Sequence, residues 1–439
     1  MKQGYLEYKE SGYEWLGEIP LHWELKKAKW SFKEKSIKGY PDELLLSVSK
    51  GKGVIPRGEL ENKTVMAFKD LQNFKLVLPE DFVIHLRSFQ SGFEMSMNKG
   101  IVSPAYTVFS CKNGLLPSYY KFLFYMQNFI DAIASTTQSL RDGKPIAYRD
   151  FSNMVLPFPK YNEQVKIANF LKVKLKEVDN LIYTKKKLIL LLEQQRQSII
   201  TEAVTKGLNP NVKMKDSGVE WIGEIPEHWE IKKIKNIANV YSSNVDKKSV
   251  EGEKEVLLCN YVDVYYNDSI TADINFMKAT AKDEQIKTFK LKKHDVIITK
   301  DSESPKDIAI PTWVSQDLDG VVCGYHLSLI RCFENTLGHY LYYTLESNQI
   351  KEQFYTKANG VTRFGLSKEA IKNGLIAIPP FNEQLEIAKM LNNVNQEVRS
   401  TVEKLKIQIE KLKEYRQALI YEAVTGKIDV RDMELDEVR

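Results

Sequence analysis

The chain has 439 residues and a mass of 50.7 kDa, a length that predicts about three ordinary domains rather than one core. Hydrophobic residues at 43% and charged residues at 28% exclude a disordered, collagen-like or membrane-embedded chain, and no apolar run reaches the roughly 18 residues of a membrane span. The formal charge of +5, from 63 basic and 58 acidic residues, is too small an excess to identify a nucleic-acid partner.

The first residues lack an apolar h-region, so no secretory signal is expected. Cys111, Cys259, Cys323 and Cys332 form no CxxC pair, which predicts reduced thiols, a cytoplasmic location and no zinc site. Within 1–29 lies an aromatic motif, YKESGYEWLGEIPLHWELKKAK at 8–29. Its Trp15, Gly17, Pro20 and Trp23 predict a tight turn that clasps the chain to the domain beyond, and His22 reads as a packing residue of that clasp.

Residues 30–158 predict a mixed α and β domain, carrying 16 basic against 12 acidic residues. DFVIHL (81–86) and IVSPAYTVF (101–109) have the β-branched and aromatic content of strands, and SYYKFLFYMQNFIDAIA (118–134) has helical periodicity. Gly39–Tyr40–Pro41 and Gly51–Lys52–Gly53 predict turns. After Pro157 and Pro159, residues 159–207 predict one long helix in which Asn162 caps free N–H groups and Glu163 opposes the dipole. Its Ala168, Leu171, Leu175, Val178, Ile182, Ile189, Leu192, Ile199 and Ala203 recur at spacings that suit a coiled-coil seam.

The order then repeats. MKDSGVEWIGEIPEHWEIKKIK at 214–235 matches the first motif at 15 of 22 positions, with Trp221, His228 and Trp229 in register. The second motif segment is 208–235, and 236–378 is a second mixed domain with 17 basic and 19 acidic residues. Strands are expected at DVIIT (295–299) and VVCGYHLSLI (321–330), a helix at GHYLYYTLESNQIKEQF (338–354), and a turn at Asn359–Gly360. Residues 379–427 predict a second long helix with Asn382 and Glu383 at its start and a seam of Ala388, Leu391, Val398, Val402, Leu405, Ile409, Leu412, Leu419 and Ala423; 428–439 is an acidic tail. Lys185, Arg196, Asn395 and Arg416 interrupt the two seams and would fix their register. The simplest partner for either seam is the other, and the pattern predicts an antiparallel coiled coil with a pseudo-twofold internal duplication: an α+β fold.

Motifs of catalysis are missing from the sequence. It has no GxxxxGK[ST] phosphate loop, no GxGxxG, and no HExxH. Ile378–Pro379–Pro380–Phe381 lacks the polar first residue an amino-methyltransferase tetrapeptide would need. Pro79–Glu80–Asp81 is only a fragment of a nuclease carboxylate pattern.

EWLGEIPLHWE, a variable domain and PFPKYNEQVKIANFL…EAVTKGL, followed by EWIGEIPEHWE, a second variable domain and IPPFNEQLEIAKML…EAVTGKI, resemble the DNA-specificity subunit of type I restriction-modification enzymes across essentially the whole chain. The resemblance implies two target recognition domains, each reading half of a bipartite site on double-stranded DNA. It implies helices that space the halves, and no catalysis in this subunit. It further implies two modification (methyltransferase) subunits and restriction/translocase subunits as partners, with S-adenosylmethionine, ATP and Mg held by those partners and no membrane involved. An interaction scaffold binding two proteins without DNA, and a nuclease with an unrecognised site, are the competing readings.

Candidate DNA contacts rest on composition and position alone. The polar stretch 86–100 offers Arg87, Ser88, Gln90, Ser91 and Lys99; the aligned stretch 299–307 offers Lys300, Ser302, Ser304 and Lys306. Tyr106 aligns with His326, and QSLRDGKP (138–145) with ANGVTRFG (358–365), adding Arg141, Lys144, Thr362 and Arg363.

Overall fold

Proline stops, tight aromatic turns and two runs of helical periodicity decide where the elements of this chain begin. The computed structural model describes residues 4–60, 70–85, 92–136, 146–360 and 362–433. It divides into two units, Met1–Lys185 with Lys406–Arg439 and Lys186–Leu405. Among the described residues no helix is long and apolar enough to cross a membrane.

In the first unit the strands β1 (Glu24–Lys27), β2 (Phe32–Lys35), β3 (Phe82–Ile84), β4 (Phe93–Met95) and β5 (Thr107–Cys111) precede helices α1 (Pro117–Phe124) and α2 (Gln127–Thr136). Strand β6 (Val155–Phe158) and the long helix α3 (Tyr161–Lys206) follow. The sheet order is β2-β5-β3-β4, all antiparallel, while β6 pairs separately with β1. Phe32, Phe82, Phe93, Phe109 and Phe124 are fully buried between sheet and helices, in edge-on and stacked contacts with ring centroids 5.1–6.4 Å apart. Two expected elements are each broken in two. The run 101–109 contains Pro104, which has no N–H for a ladder, so the chain turns at Ser103–Tyr106 between Gly100–Val102 and β5. The helix expected over 118–134 stops after Phe124 and restarts at Gln127, which lets Phe124 and Phe129 both face the core.

The second unit repeats this order. Its labelled elements are β7 (Glu230–Lys233), β8 (Ala238–Ser242), β9 (Ser269–Ile270), β10 (Val296–Thr299), β11 (Asp301–Ser302), β12 (Pro311–Val314) and β13 (Leu327–Cys332), then α4 (Gly338–Glu346), α5 (Asn348–Tyr355), β14 (Phe364–Gly365), β15 (Leu375–Ile378) and α6 (Phe381–Val424). The sheet runs β8-β13-β10-β12-β9, its first four strands matching those of the first unit, and β15 pairs with β7 as β6 does with β1. The run 321–330 is also split: Val321–Cys323 pairs in parallel with Leu257–Cys259, and β13 begins after Gly324. A Cβ on Gly324 would lie 2.8 Å from the Cys259 carbonyl, so only glycine lets the chain leave that pairing so closely.

The start of each long helix is buried, as the apolar spacing predicts. Ala168, Leu171 and Leu175 pack in the first unit beside Leu419 and Ala423 from the end of α6, and Val178 is buried; in the second, Ala388 and Leu391 pack beside Ile200, Ala203 and Val204 from the end of α3. Within each unit the two helices run antiparallel. Asp179 accepts from Arg416 and Gln408 from Lys185 in the first, and Asn395 from Arg196 in the second. All four polar interruptions of the seam therefore find partners. The segment beyond 427 is not a free tail through 433: Ile428 and Val430 are buried in the first unit's core.

Candidate nucleic-acid interface

The Trp-Gly-Pro motifs and the starts of the long helices meet in one construction, built twice. Trp23 is fully buried, and its indole N–H donates to Glu163 Oε1 at 3.0 Å, while His22 Nε2 lies 3.0 Å from Glu163 Oε2. Trp229 donates to Glu383 Oε2 at 2.9 Å, and His228 Nε2 lies 2.6 Å from Glu383 Oε1. The adjacent Gln164 accepts from the Leu116 N–H ahead of α1 and donates to the Pro159 carbonyl; Gln384 does the same with Leu337 ahead of α4 and with Pro379. The far end of each motif pair is closed by a glycine. Gly207 (φ +78°) and Gly426 (φ +74°) end the long helices left-handed against Trp229 and Trp23, where a Cβ would meet the indole at 3.2 and 3.1 Å. Burying about 200 Å² of indole stabilises each clasp by about 5 kcal/mol before entropy is subtracted. Glu163 and Glu383 thus serve as acceptors for a tryptophan some 140 or 155 positions away. Asn162 and Asn382 lie inside the first turns of α3 and α6, whose helices begin one residue earlier, so they are not the caps expected from the sequence.

These clasps hold each domain against its helix pair and leave its loops to carry chemistry. In the second domain five sets of residues converge beyond the sheet: Ser243–Lys247, Asn260–Tyr266, Lys300–Asp307, Gly324–His326, and Asn359 with Thr362–Gly365. The two-residue strands β11 and β14 pair in register Asp301↔Gly365 and Ser302↔Phe364, which fixes Asp301 beside Arg363. Asp301 Oδ1 lies 2.6 Å from His326 Nδ1 and 3.0 Å from Arg363 Nη2, and the His326 Nε2 lies 3.3 Å from the same Nη2. A cavity of about 110 Å³ opens beside them, lined by Asp246, Lys247, Asn260, Tyr261, Tyr325 and His326.

The sequence-selected residues of this domain have different standings. Lys300, Ser302, His326 and Arg363 converge. Lys300 is turned inward: its ammonium donates to the Ser243 carbonyl at 2.9 Å and lies 4.6 Å from the Tyr325 ring centroid. Burial lowers its pKa, with Asp301 opposing. Ser302 accepts from the Ser304 N–H and meets the Tyr261 phenol at 3.4 Å. Ser304 caps the short turn at Pro305–Asp307, so both serines are occupied in shaping the loop. Lys306, Thr362 and Arg363 are exposed. Asp301 gives no signal of its own in the sequence, because its role comes from pairing with a strand more than sixty residues on.

The first domain resolves differently. Arg87, Ser88, Gln90, Ser91, Arg141 and Lys144 lie outside the described residues. Lys99 is exposed and paired with Glu43. Tyr106 is half-buried against a cluster of Leu46, Val48, Val77 and Val108; its carbonyl accepts from Lys75, and burial raises its phenol pKa.

An internally duplicated pair of α/β domains, each clasped to a long helix, with polar loops gathered beyond the sheet of the second domain, defines a two-module protein. Residues 226–411 match the profile of the type I restriction modification DNA specificity domain. The chain is 25% identical over 370 residues to the type I restriction enzyme MjaVIII specificity subunit of Methanocaldococcus jannaschii, covering 83% of each. It is 23% identical over 321 residues to the EcoBI specificity subunit of Escherichia coli, covering 71% of this chain and 66% of that one. In fold it resembles a chain from a study of assembly and conformational transition in the type I R-M system, with a TM-score of 0.71 at 12% identity over 93% of this chain and 99% of that one. It also resembles the HsdS subunit of Thermoanaerobacter tengcongensis, with a TM-score of 0.51 at 14% identity over 93% and 98%. The matching domain over residues 226–411, the second copy of its framework motifs in the first half and a relative aligned over 83% of the chain make the protein similar to type I restriction-modification DNA-specificity subunits.

Proposed function

We propose that this protein reads a bipartite site on double-stranded DNA, one half with each α/β domain, and does no chemistry of its own. The observation that carries this reading is duplication of the framework beneath loops that differ. The same clasp, the same sheet order and the same helix pairing occur twice, while the polar loop sequences differ between the copies. That is the arrangement a reader of two unlike half-sites needs, since rigid scaffolds position loops and loop side chains supply base-edge donors and acceptors.

Duplicated surfaces suit two modification subunits per chain, with restriction/translocase subunits joining them. S-adenosylmethionine for adenine methylation, and ATP and Mg for translocation, belong to those partners. Exposed apolar side chains on the long helices, Leu188, Leu190 and Leu191 in the second unit and Ile407 and Tyr415 in the first, suit burial by partner helices. Work on host DNA places the complex in the cytoplasm. The test is genome-wide adenine methylation in a host that carries the modification genes, with and without this chain. A single two-part motif, methylated only when the chain is present, is expected. Methylation that is the same in both hosts would refute the reading.

A further inference from the structure

We infer that Arg363 reads a guanine of the second half-site through the major groove, with Asp301 and His326 as the positioning residues that hold its guanidinium; this rests on the DNA-reading function proposed above. Five features of the loop cluster lead there.

The first is geometric. Asp301 Oδ1 engages Nη2 of Arg363 at 3.0 Å, and among the described residues Nε and Nη1 have no hydrogen-bond partner. The His326 ring nitrogens also meet Nη2, Nδ1 at 2.9 Å and Nε2 at 3.3 Å, so Nη2 is the held end of the planar fork. The donors on Nε and Nη1 are left open, and guanine presents O6 and N7 as acceptors for such donors in the major groove.

The second is electrostatic. A carboxylate in contact with a guanidinium neutralises much of its charge, which weakens attraction for phosphate but leaves its directed donors intact. Base edges are neutral, so an oriented and neutralised fork suits a base edge better than the backbone. The third is rigidity. Asp301 is itself fixed, since β11 pairs with β14 and His326 Nδ1 lies 2.6 Å from its Oδ1. Its side chain is only 19% exposed, against 56% for Arg363, so a buried anchor carries an exposed reader.

The fourth feature is elimination. Lys300 spends its ammonium on the Ser243 carbonyl and the Tyr325 ring, and Ser302 and Ser304 are bound into the loop. Exposed Lys306 has no anchoring carboxylate among the described residues and suits phosphate, whose contacts tolerate a mobile point charge. The fifth is asymmetry. Position 87 of the first domain, which aligns with Asp301, is an arginine, so the first domain lacks this anchor in its sequence and reads by other means.

The experiment uses the full complex with its modification subunits. The second half-site is the half that stays unchanged when residues 30–158 are exchanged for those of a relative. Within it, each guanine is replaced in synthetic duplexes by 7-deazaguanine, which removes N7 and leaves the phosphates untouched. One position should lower wild-type methylation roughly 5-fold or more, the lower end of what a directed base-edge contact provides. In Arg363→Ala the complex should accept any base at that one position, and 7-deazaguanine there should have no further effect. Asp301→Asn should lower discrimination at the same position while DNA affinity at a scrambled sequence is kept, a readout that a merely structural role would not confine to one base pair.

A second half-site without a G·C pair, or a wild-type complex insensitive to 7-deazaguanine at every guanine in it, overturns the inference, and needs no variant to fold. Unchanged stringency in Arg363→Ala overturns it as well. A wild-type complex that methylates no defined sequence refutes the DNA-reading function itself, a different result from correct two-part specificity with Arg363 irrelevant.

Discussion

The two clasps share their central hydrogen bonds and differ in what covers them. In the first, Glu163 has a side chain only 6% exposed, because the Tyr5 hydroxyl adds a third hydrogen bond at 2.5 Å and the Asp429–Arg431 pair closes over the Tyr5 ring. In the second, Glu383 has two partners and a side chain 37% exposed. The repeated motif therefore specifies a hydrogen-bond pattern, and the non-repeated chain around it decides how dry that pattern is. A carboxylate in a dry site is worth more to its donors and costs more to remove, so identical substitutions in the two copies should have unequal effects.

Replacement of that carboxylate gives the largest expected difference. Glu163→Ala leaves an indole N–H and a phenol hydroxyl buried without an acceptor and should cost the first unit about 3–5 kcal/mol. Glu383→Ala leaves a half-exposed site that water can enter, at about 1–2 kcal/mol. Hydrogen exchange of each domain's core strands, read by mass spectrometry, reports both losses. Equal protection losses would mean that burial does not separate the clasps.

Much of this asymmetry was hidden from the sequence, although the clasp itself was half visible. The repeat of EIPxHWE and NEQ, the proline stops and the apolar spacing of the helices were legible, because they are local patterns of chemistry or period. In sequence Glu163 reads as a charge opposing a helix dipole, since nothing within one helical turn reveals a tryptophan 140 positions earlier. Strands at 101–109 and 321–330 were read as single runs because β-branched content is insensitive to a turn of three or four residues at Pro104 or Gly324. In the recognition loops, cations and hydroxyls were visible by type. Whether each faces solvent is decided by pairing such as that of β11 with β14, which joins residues far apart in the chain.

Removing residues 428–439 is the next test of the comparison, because the second clasp has no equivalent cover. Loss of the buried Ile428 and Val430 side chains, with Asp429 and Arg431, should destabilise the first unit by about 3 kcal/mol. Exchange rates in the second unit should stay as they were. A uniform increase in both would show that the chain end does not act on the first clasp alone.

The units should also separate on acidification. His339 stacks on Trp313 with ring centroids 3.8 Å apart, and its buried Nε2 has no hydrogen-bond partner among the described residues. Burial, assisted by His294, pushes its pKa down to about 4. The unfolded imidazole binds a proton near pH 6.5, so between about pH 6.5 and 4 the unfolded state holds more protons than the folded one. The contribution of this site is complete above that window and falls as pH is lowered through it, by about 1–3 kcal/mol. Ser118 stands at the corresponding place of the first domain, which has no such dependence from this position. Urea unfolding of His339→Phe at pH 7 and pH 5 should show a smaller acid loss than the parent; an unchanged loss would remove His339 as its source.

The smallest expected effect concerns the helix seam. Asn395 is 6% exposed and bridges two elements, accepting from Arg196 at 2.5 Å and donating to Asp268 of the second domain at 2.7 Å. Its counterpart in the first repeat is Leu175, buried and apolar. Asn395→Leu therefore gives the second seam the residue of the first. Neither charge would be orphaned, because Arg196 keeps Glu346 at 3.4 Å and Asp268 keeps Arg399 at 3.2 Å. Two hydrogen bonds are lost and a leucine is buried, so the net change should be a loss of about 1 kcal/mol, well below that of removing either charge. If Asn395→Leu instead cost as much as Glu163→Ala, the bridge from helix to domain, rather than the clasp, would be the main attachment of the second recognition domain.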